Sequence, residues 1–221
     1  MKGEAMKKAV IFDLDGTLSD SLASMKYCAD LAVEPWGFGP FSEEEYKYFV
    51  GDGAANLIKR CLIAGGDVEL VHYEEAFARY REIFRDNCMY QVKPYDGIRE
   101  LLTALKEKGL KITVLSNKPH AQTIDVVERL FGKDYFDVIQ GQKPEMPIKP
   151  SPAGVYQILE QLNLEVDDIL YLGDTGTDMQ TGKSAGAFTV GVLWGFRKRD
   201  ELEENGADAI IVQPLEVLGY I

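Results

Sequence analysis

From Pro94 to the C-terminus, short apolar runs alternate with amphipathic stretches of helix length. No other feature of this 221-residue chain constrains its fold as strongly. Residues 97–108 read as an amphipathic helix closed by Gly109. Residues 111–115 read as a β-branched strand ending at Ser116. Helices over 119–131, 152–162 and 177–185 then alternate with strands over 136–139, 169–172, 188–193 and 209–212. Strands joined through helices of this length form βαβ units, whose strands run parallel. One more apolar run, 9–12, stands near the start and meets Asp13. A run with no polar alternation suits a strand buried on both faces.

Residues 21–87 interrupt the alternation with a pattern that is helical throughout. Ser19, Asp20 and Ser21 are N-cap candidates for a first helix. Ser42 followed by Glu45 has the form of a capping box. Ala76, Phe77, Tyr80 and Phe84 fall near one face of a helix over 74–84. Gly37-Phe38-Gly39-Pro40 and Gly65-Gly66 supply the turns. This run is too long for a simple crossover. It reads as a small helical cap domain, 19–91, inserted into a core built from 1–18 and 92–221. The expected fold class is α/β: a mostly parallel sheet flanked by helices, with an inserted α-helical cap.

Charge excludes several function classes. Lys and Arg number 24 against 36 Asp and Glu, a net charge of 24 − 36 = −12. Such a surface repels phosphate backbones and anionic bilayers, so neither nucleic acid nor membrane is an expected partner. No apolar run approaches the ~20 residues of a membrane span. The first six or so residues read as a loose lead-in and lack the apolar region of a signal peptide. Cys28, Cys61 and Cys88 are widely spaced and form no CxxC pair. They read as thiols of a reducing compartment, which places the chain in the cytoplasm.

In an open α/β sheet, ligands bind outside the carboxyl ends of the strands. The first strand ends in Asp13-Leu14-Asp15-Gly16-Thr17. The second ends in Ser116-Asn117-Lys118. The strand over 169–172 ends in Gly173-Asp174, with Asp178 four residues on. So many carboxylates at neighbouring strand ends repel one another unless a cation offsets them. Oxygen-only ligands favour Mg²⁺ over Zn²⁺. A carboxylate is also a nucleophile in phosphoryl transfer, which needs in-line positioning and cancellation of negative charge. A cation, a lysine, the Ser116 hydroxyl and the N–H groups that follow Asp13, at Gly16 and Thr17 among them, supply that cancellation. Lys149, between prolines in Ile148-Lys149-Pro150-Ser151-Pro152, is the preferred lysine, with Lys143 competing. His72 and His120 lack a partner at metal-ligand spacing and read as structural or exposed.

Asp13-Leu14-Asp15-Gly16-Thr17-Leu18, Ser116-Asn117, Lys149-Pro150 and Gly173-Asp174-Thr175-Gly176-Thr177-Asp178 resemble, in order, the four motifs of the haloacid dehalogenase-like hydrolases. The helical insertion resembles the cap of the branch containing phosphoglycolate phosphatase. Val50-Gly51-Asp52-Gly53-Ala54 resembles that branch's glycine-rich cap loop, and Asn117-Lys118-Pro119 its Asn-Lys-Pro.

The resemblance implies a Rossmann-like core and a role for each residue. Asp13 is the implied nucleophile and Asp15 the acid–base. Ser116 and Asn117, with Lys118, hold the phosphoryl group, and Lys149 neutralises it. Asp174 binds Mg²⁺ with Asp13 and the Asp15 carbonyl, and Asp178 supports the metal or orients Lys149. Gly51, Asp52 and Gly53 face the substrate. The implied activity is a Mg²⁺-dependent phosphatase of a small phosphate monoester, phosphoglycolate being the candidate. A β-phosphoglucomutase-like phosphotransferase is the alternative, with a pyrophosphatase or nucleotidase behind it. The partner is a small phosphoester, and the chain a monomer or homodimer.

Overall fold

The computed structural model describes residues 6–221. The expected loose lead-in lies outside the described residues except for Met6, which is exposed. β1 (Ala9–Phe12) is fully buried, as its unbroken apolar run requires. Its pleat divides the four side chains between two cores. Val10 and Phe12 enter the larger apolar cluster, and Ala9 and Ile11 the smaller one.

After β1 come β2 (Ser19–Asp20), α1 (Leu22–Val33), α2 (Glu43–Phe49), α3 (Ala54–Gly65), α4 (Tyr73–Asn87) and β3 (Lys93–Pro94). The alternating half then follows as α5 (Ile98–Glu107), β4 (Lys111–Pro119), α6 (His120–Phe131), β5 (Val138–Gln142) and α7 (Ala153–Leu162). It closes with β6 (Ile169–Gly173), α8 (Gly176–Ala185), β7 (Phe188–Val192), α9 (Arg199–Glu204) and β8 (Ala209–Ile211).

Among the described residues, six strands form one sheet in the order β5-β4-β1-β6-β7-β8, with every pair parallel. The first strand in sequence thus lies in the middle. The chain fills one side with β4 and β5, then crosses to the other for β6, β7 and β8. This reversal opens a crevice beyond the carboxyl ends of β4, β1 and β6. Phe12 pairs with both Val114 and Leu172, so Asp13 emerges between those two neighbouring strands.

The four helices α1–α4 pack on one another, α1 against α2, α3 and α4. The expected capping box is present: Ser42 accepts from the Glu45 N–H, and the Glu45 carboxylate accepts from the Ser42 N–H. Ala76, Tyr80 and Phe84 are buried along α4, while Phe77 is only partly covered. The larger apolar cluster runs without a break from Val10 and Phe12 through Leu14, Leu18 and Leu22 into these helices. β2 and β3, which enter and leave the helical segment, pair antiparallel with Ser19 opposite Pro94. No helix among the described residues is long and apolar enough to cross a membrane.

Three local expectations need correction. β4 continues past Leu115 to Pro119, with a register irregularity, so Ser116, Asn117 and Lys118 belong to the strand. β5 begins at Val138 rather than 136, because Phe136 packs edge-on against Phe131 instead of joining the ladder. Ser21 occupies the N-cap position of α1 but caps nothing, since its hydroxyl donates to Asp15. The short α9 and the pairing of β2 with β3 carry too few residues for a periodic signal.

Candidate active site

The site begins as a tight loop after β1. The Asp13 N–H donates to the Leu172 carbonyl, which carries the β1–β6 ladder one step further (2.9 Å). The chain then turns back, with the Leu18 and Ser19 N–H groups both donating to the Leu14 carbonyl. Gly16 sits at φ +92° against Asp174, and a Cβ there would lie 2.2 Å from Asp174 Oδ2. Only glycine meets both demands.

Three carboxylates and one ammonium meet beneath this loop. Asp13, Asp174 and Asp178 are buried and place one carboxylate oxygen each within 4.8 Å of the others. Lys149 Nζ donates to Asp13 Oδ1 and Asp178 Oδ1, both at 2.7 Å. Asp178 is held from behind by α8's own capping box, in which Thr175 Oγ1 donates to Asp178 Oδ2 at 2.6 Å. The Tyr171 hydroxyl adds a longer contact of 3.4 Å. Thr17 Oγ1 and the Phe196 N–H donate to Asp174 at 3.2 and 2.8 Å.

This arrangement disfavours full ionisation. Burial, then Asp178 and Asp174, push the Asp13 carboxyl well above the ordinary range, against the pull of Lys149. Burial and Asp178 raise Asp174 to about 7, opposed by the Phe196 N–H and Arg197. Burial penalises the Lys149 ammonium, yet Asp13 and Asp178 hold it charged well above the ordinary lysine range. Three buried carboxylates facing one ammonium, with oxygen donors throughout, suit a hard divalent cation.

Asp15 is two residues away in different surroundings. Lys118 Nζ and Ser21 Oγ both donate to its Oδ1, each at 2.6 Å, and Oδ2 is left for other work. Asp13, Asp15, Ser116, Asn117 and Lys118 line one cavity of about 40 Å³, roofed by the inserted helices. Gly51 and Gly53 also line it.

Asn117 and Asp52 make structural hydrogen bonds that the sequence does not suggest. The Asn117 amide donates to the Lys149 and Gly51 carbonyls, and its Oδ1 accepts from the Lys149 N–H at 2.8 Å. Asn117 thus fixes the lysine loop to the glycine loop. Asp52 turns away from the cavity and accepts from Thr177 Oγ1 and the Arg60 guanidinium. Although half-buried, it titrates below the usual range because those two hydrogen bonds favour its ionised form. Lys143 makes no contact with the carboxylates. His120 accepts from the Gly141 N–H, and burial and Lys143 lower its pKa.

The sequence reading missed the loop after β7. An added Cβ at Gly195 would lie 2.4 Å from the Gly16 carbonyl oxygen and from Asp174 Cβ. Trp194 Nε1 donates to the Thr17 carbonyl at 2.9 Å. Arg197 reaches across to the Lys47 and Val50 carbonyls. The loop follows a strand of the same sheet, so extending the strand-end search to β7 finds it.

The sequence profile of the haloacid dehalogenase-like hydrolases matches residues 10–192. A phosphoglycolate phosphatase of Aquifex aeolicus is 33% identical over 191 residues, covering 86% of this chain and 87% of its own. A phosphoglycolate phosphatase of Neisseria meningitidis is 31% identical over 202 residues, covering 90% and 86%. A solved structure from Lactobacillus delbrueckii subsp. bulgaricus superposes with a TM-score of 0.92 at 28% identity, over 98% of this chain and 99% of that one.

Proposed function

The chain belongs to the haloacid dehalogenase-like hydrolase family, and from that premise we propose that it hydrolyses a small phosphate monoester through a covalent phosphoryl group on Asp13. It is a phosphatase. The observation that carries the mechanism is the unlike setting of two carboxylates two residues apart. Asp13 lies in the buried cluster with Lys149, whereas Asp15 is held by Lys118 and Ser21. Unlike settings let the two carboxylates divide the roles: a bound cation together with Lys149 would offset the burial that raises Asp13 and keep it ionised as the nucleophile, while Asp15 transfers the proton.

An Asp13 oxygen bonds to phosphorus as the ester P–O bond breaks. Asp15 gives its proton to the departing alkoxide. A water then loses a proton to Asp15 while its oxygen bonds to phosphorus. The bond from phosphorus to Asp13 breaks, and inorganic phosphate leaves with both aspartates restored. Lys149 holds Asp13 and offsets its charge; the Ser116 hydroxyl and the N–H groups of the Asp13 loop face the phosphoryl oxygens. Asn117 keeps Lys149 in place. Asp13 and Asp174, with the Asp15 carbonyl, would hold Mg²⁺, with Asp178 behind them. When bound, the ion supplies charge neutralisation and orients the transferring group. Residues 19–91 serve as a cap over a core of 1–18 and 92–221, and β2 and β3 form the crossing between them.

Phosphoglycolate, the compound in the relatives' names, is the first substrate to test. Phosphate release is measured from phosphoglycolate, sugar phosphates, nucleotides, pyrophosphate and an aryl phosphate, in Mg²⁺ and in EDTA. Release that EDTA stops, and that Asp13→Asn lowers at least about a thousandfold without loss of fold, supports the reading. Near-normal turnover by Asp13→Asn refutes it.

A further inference from the structure

Three consecutive residues of the helical segment, Val50, Gly51 and Asp52, are gripped by three different segments of the core. The Val50 carbonyl accepts from Arg197, after β7, at 2.9 Å. The Gly51 carbonyl accepts from the Asn117 amide, in β4, at 3.3 Å. Asp52 accepts from Thr177 Oγ1, in the first turn of α8. The first two grips use backbone carbonyls, which any residue offers. Asp52 contributes a side chain, and a charged one.

Nothing local explains where that side chain goes. Gly53 is the N-cap of α3, and no side chain caps that helix. A carboxylate one residue earlier is well placed to serve the first-turn N–H groups, where negative charge is favoured. Asp52 instead gives Oδ2 to Arg60 and Oδ1 to Thr177, 125 residues away. Arg60 also donates to the Phe49 carbonyl at 2.9 Å, so it braces Asp52 from within the helical segment. A substrate contact is no explanation either, since Asp52 is not a wall of the cavity that holds Asp13 and Asp15.

The far end of this tie is the cluster of carboxylates. Thr177 lies between Asp174 and Asp178 in the chain, at the start of α8. The Thr175 N–H and Oγ1 hold Asp178 in the same turn, at 3.1 and 2.6 Å. Gly51 closes on that turn as well: a Cβ there would lie 3.4 Å from Thr175 Cγ2.

We propose that Asp52 is a positioning residue that docks the helical segment on the turn carrying Asp174 and Asp178, so that docking and divalent-cation binding favour each other. Such coupling is reciprocal: what the cation adds to docking, docking adds to cation affinity. The inference rests on the cation site of the phosphatase reading, and not on turnover. A hydrogen bond to a charged acceptor contributes about a factor of ten to a docking equilibrium. Its loss weakens the apparent cation affinity by at most that factor, because the competent fraction falls by no more.

The test is calorimetry of Mg²⁺ binding to the full chain without substrate. Thr177→Val removes the hydroxyl and keeps the branched shape. It should raise the Mg²⁺ Kd about three- to tenfold, and Thr177→Ser should bring it back to within about twofold of wild type. Asp52→Ala should raise the Kd likewise, and adding Thr177→Val to it should change the Kd by less than about twofold. A Kd is insensitive to the folded fraction, so a merely weakened fold does not imitate this pattern. An unchanged Kd in Thr177→Val, or a second full loss when Thr177→Val is added to Asp52→Ala, overturns the role of Asp52 and leaves the phosphatase standing. Wild type that binds no Mg²⁺ overturns the cation site and this inference with it. The phosphatase reading falls separately, if wild type releases phosphate from no ester.

Discussion

Arg197 ties the loop after β7 to the helical segment, and removing it tests whether that tie holds the site closed. The residue is 8% exposed. Its guanidinium donates to the Lys47 and Val50 carbonyls, the second at 2.9 Å, and lies over the Tyr48 ring. Its Nε pairs with Glu201 at 3.1 Å, and Glu201 in turn accepts from the Gly176 N–H at the start of α8. Hydrogen bonds from a charged donor contribute about 1.5–3 kcal/mol each. The lower figure applies here, because both carbonyls regain water once the loop lifts. The pair with a partly exposed Glu201 adds well under about 1 kcal/mol. Arg197→Ala should therefore lose about 3 kcal/mol of closing free energy. A loss of that size is a factor of about 100 in a closing equilibrium. Since closure follows binding, KM should rise about 10- to 100-fold while kcat falls less. Melting should drop by about 6–12 °C, at about 2–4 °C per kcal/mol for a chain of this size. Arg197→Lys retains the charge but cannot fork to both carbonyls, so it should fall between. KM within twofold of wild type and an unchanged melting temperature in Arg197→Ala would refute the reasoning.

Two further outcomes follow from the carboxylate cluster. Gly16→Ala forces a Cβ to 2.2 Å from Asp174 at a φ of +92°, and should cut Mg²⁺-dependent phosphate release by at least about 100-fold while raising the Mg²⁺ needed for half-maximal rate. A wild-type Mg²⁺ titration in that variant would count against Asp174 as a ligand. Asp174 is raised from 3.8 to about 7, so its protonated form favours folding; that contribution is full below about pH 4 and lost as pH climbs through about 7. Melting in EDTA should therefore decline between about pH 4 and pH 7, and Mg²⁺ should flatten the decline by favouring the ionised carboxylates. A melting temperature that climbs with pH in EDTA would contradict the assignment.

Much of the scaffold was legible because it rests on local pattern. β1 is continuous and apolar because it is buried on both faces, and it matches the expected residues end for end. The capping box at Ser42 and Glu45 needs only the spacing of two side chains. The carboxylates were legible because each stands at or just beyond a strand end, where the parallel sheet must open. The ends of β4 and β5 were less so. Whether Ser116-Asn117-Lys118 continues a strand, and whether Phe136 enters one, depends on the neighbour each segment meets.

The sequence by itself determined the parallel α/β core, the helical insertion, and the presence of Asp13, Asp15, Lys149, Asp174 and Asp178 near one crevice. Periodicity places the strands and the carboxylates at their ends, because it is a property of short segments, whereas Lys149 rests on the motif resemblance. Only the tertiary structure decided how those groups are shared. It placed Lys149 between Asp13 and Asp178, gave Asp15 to Lys118 and Ser21, and turned Asp52 toward Arg60. It closed Gly195 and the Phe196 N–H onto Asp174. A hydrogen bond is short-ranged and directional. Its partner is therefore set by which distant segments the fold brings within about 3 Å, and no local pattern encodes that.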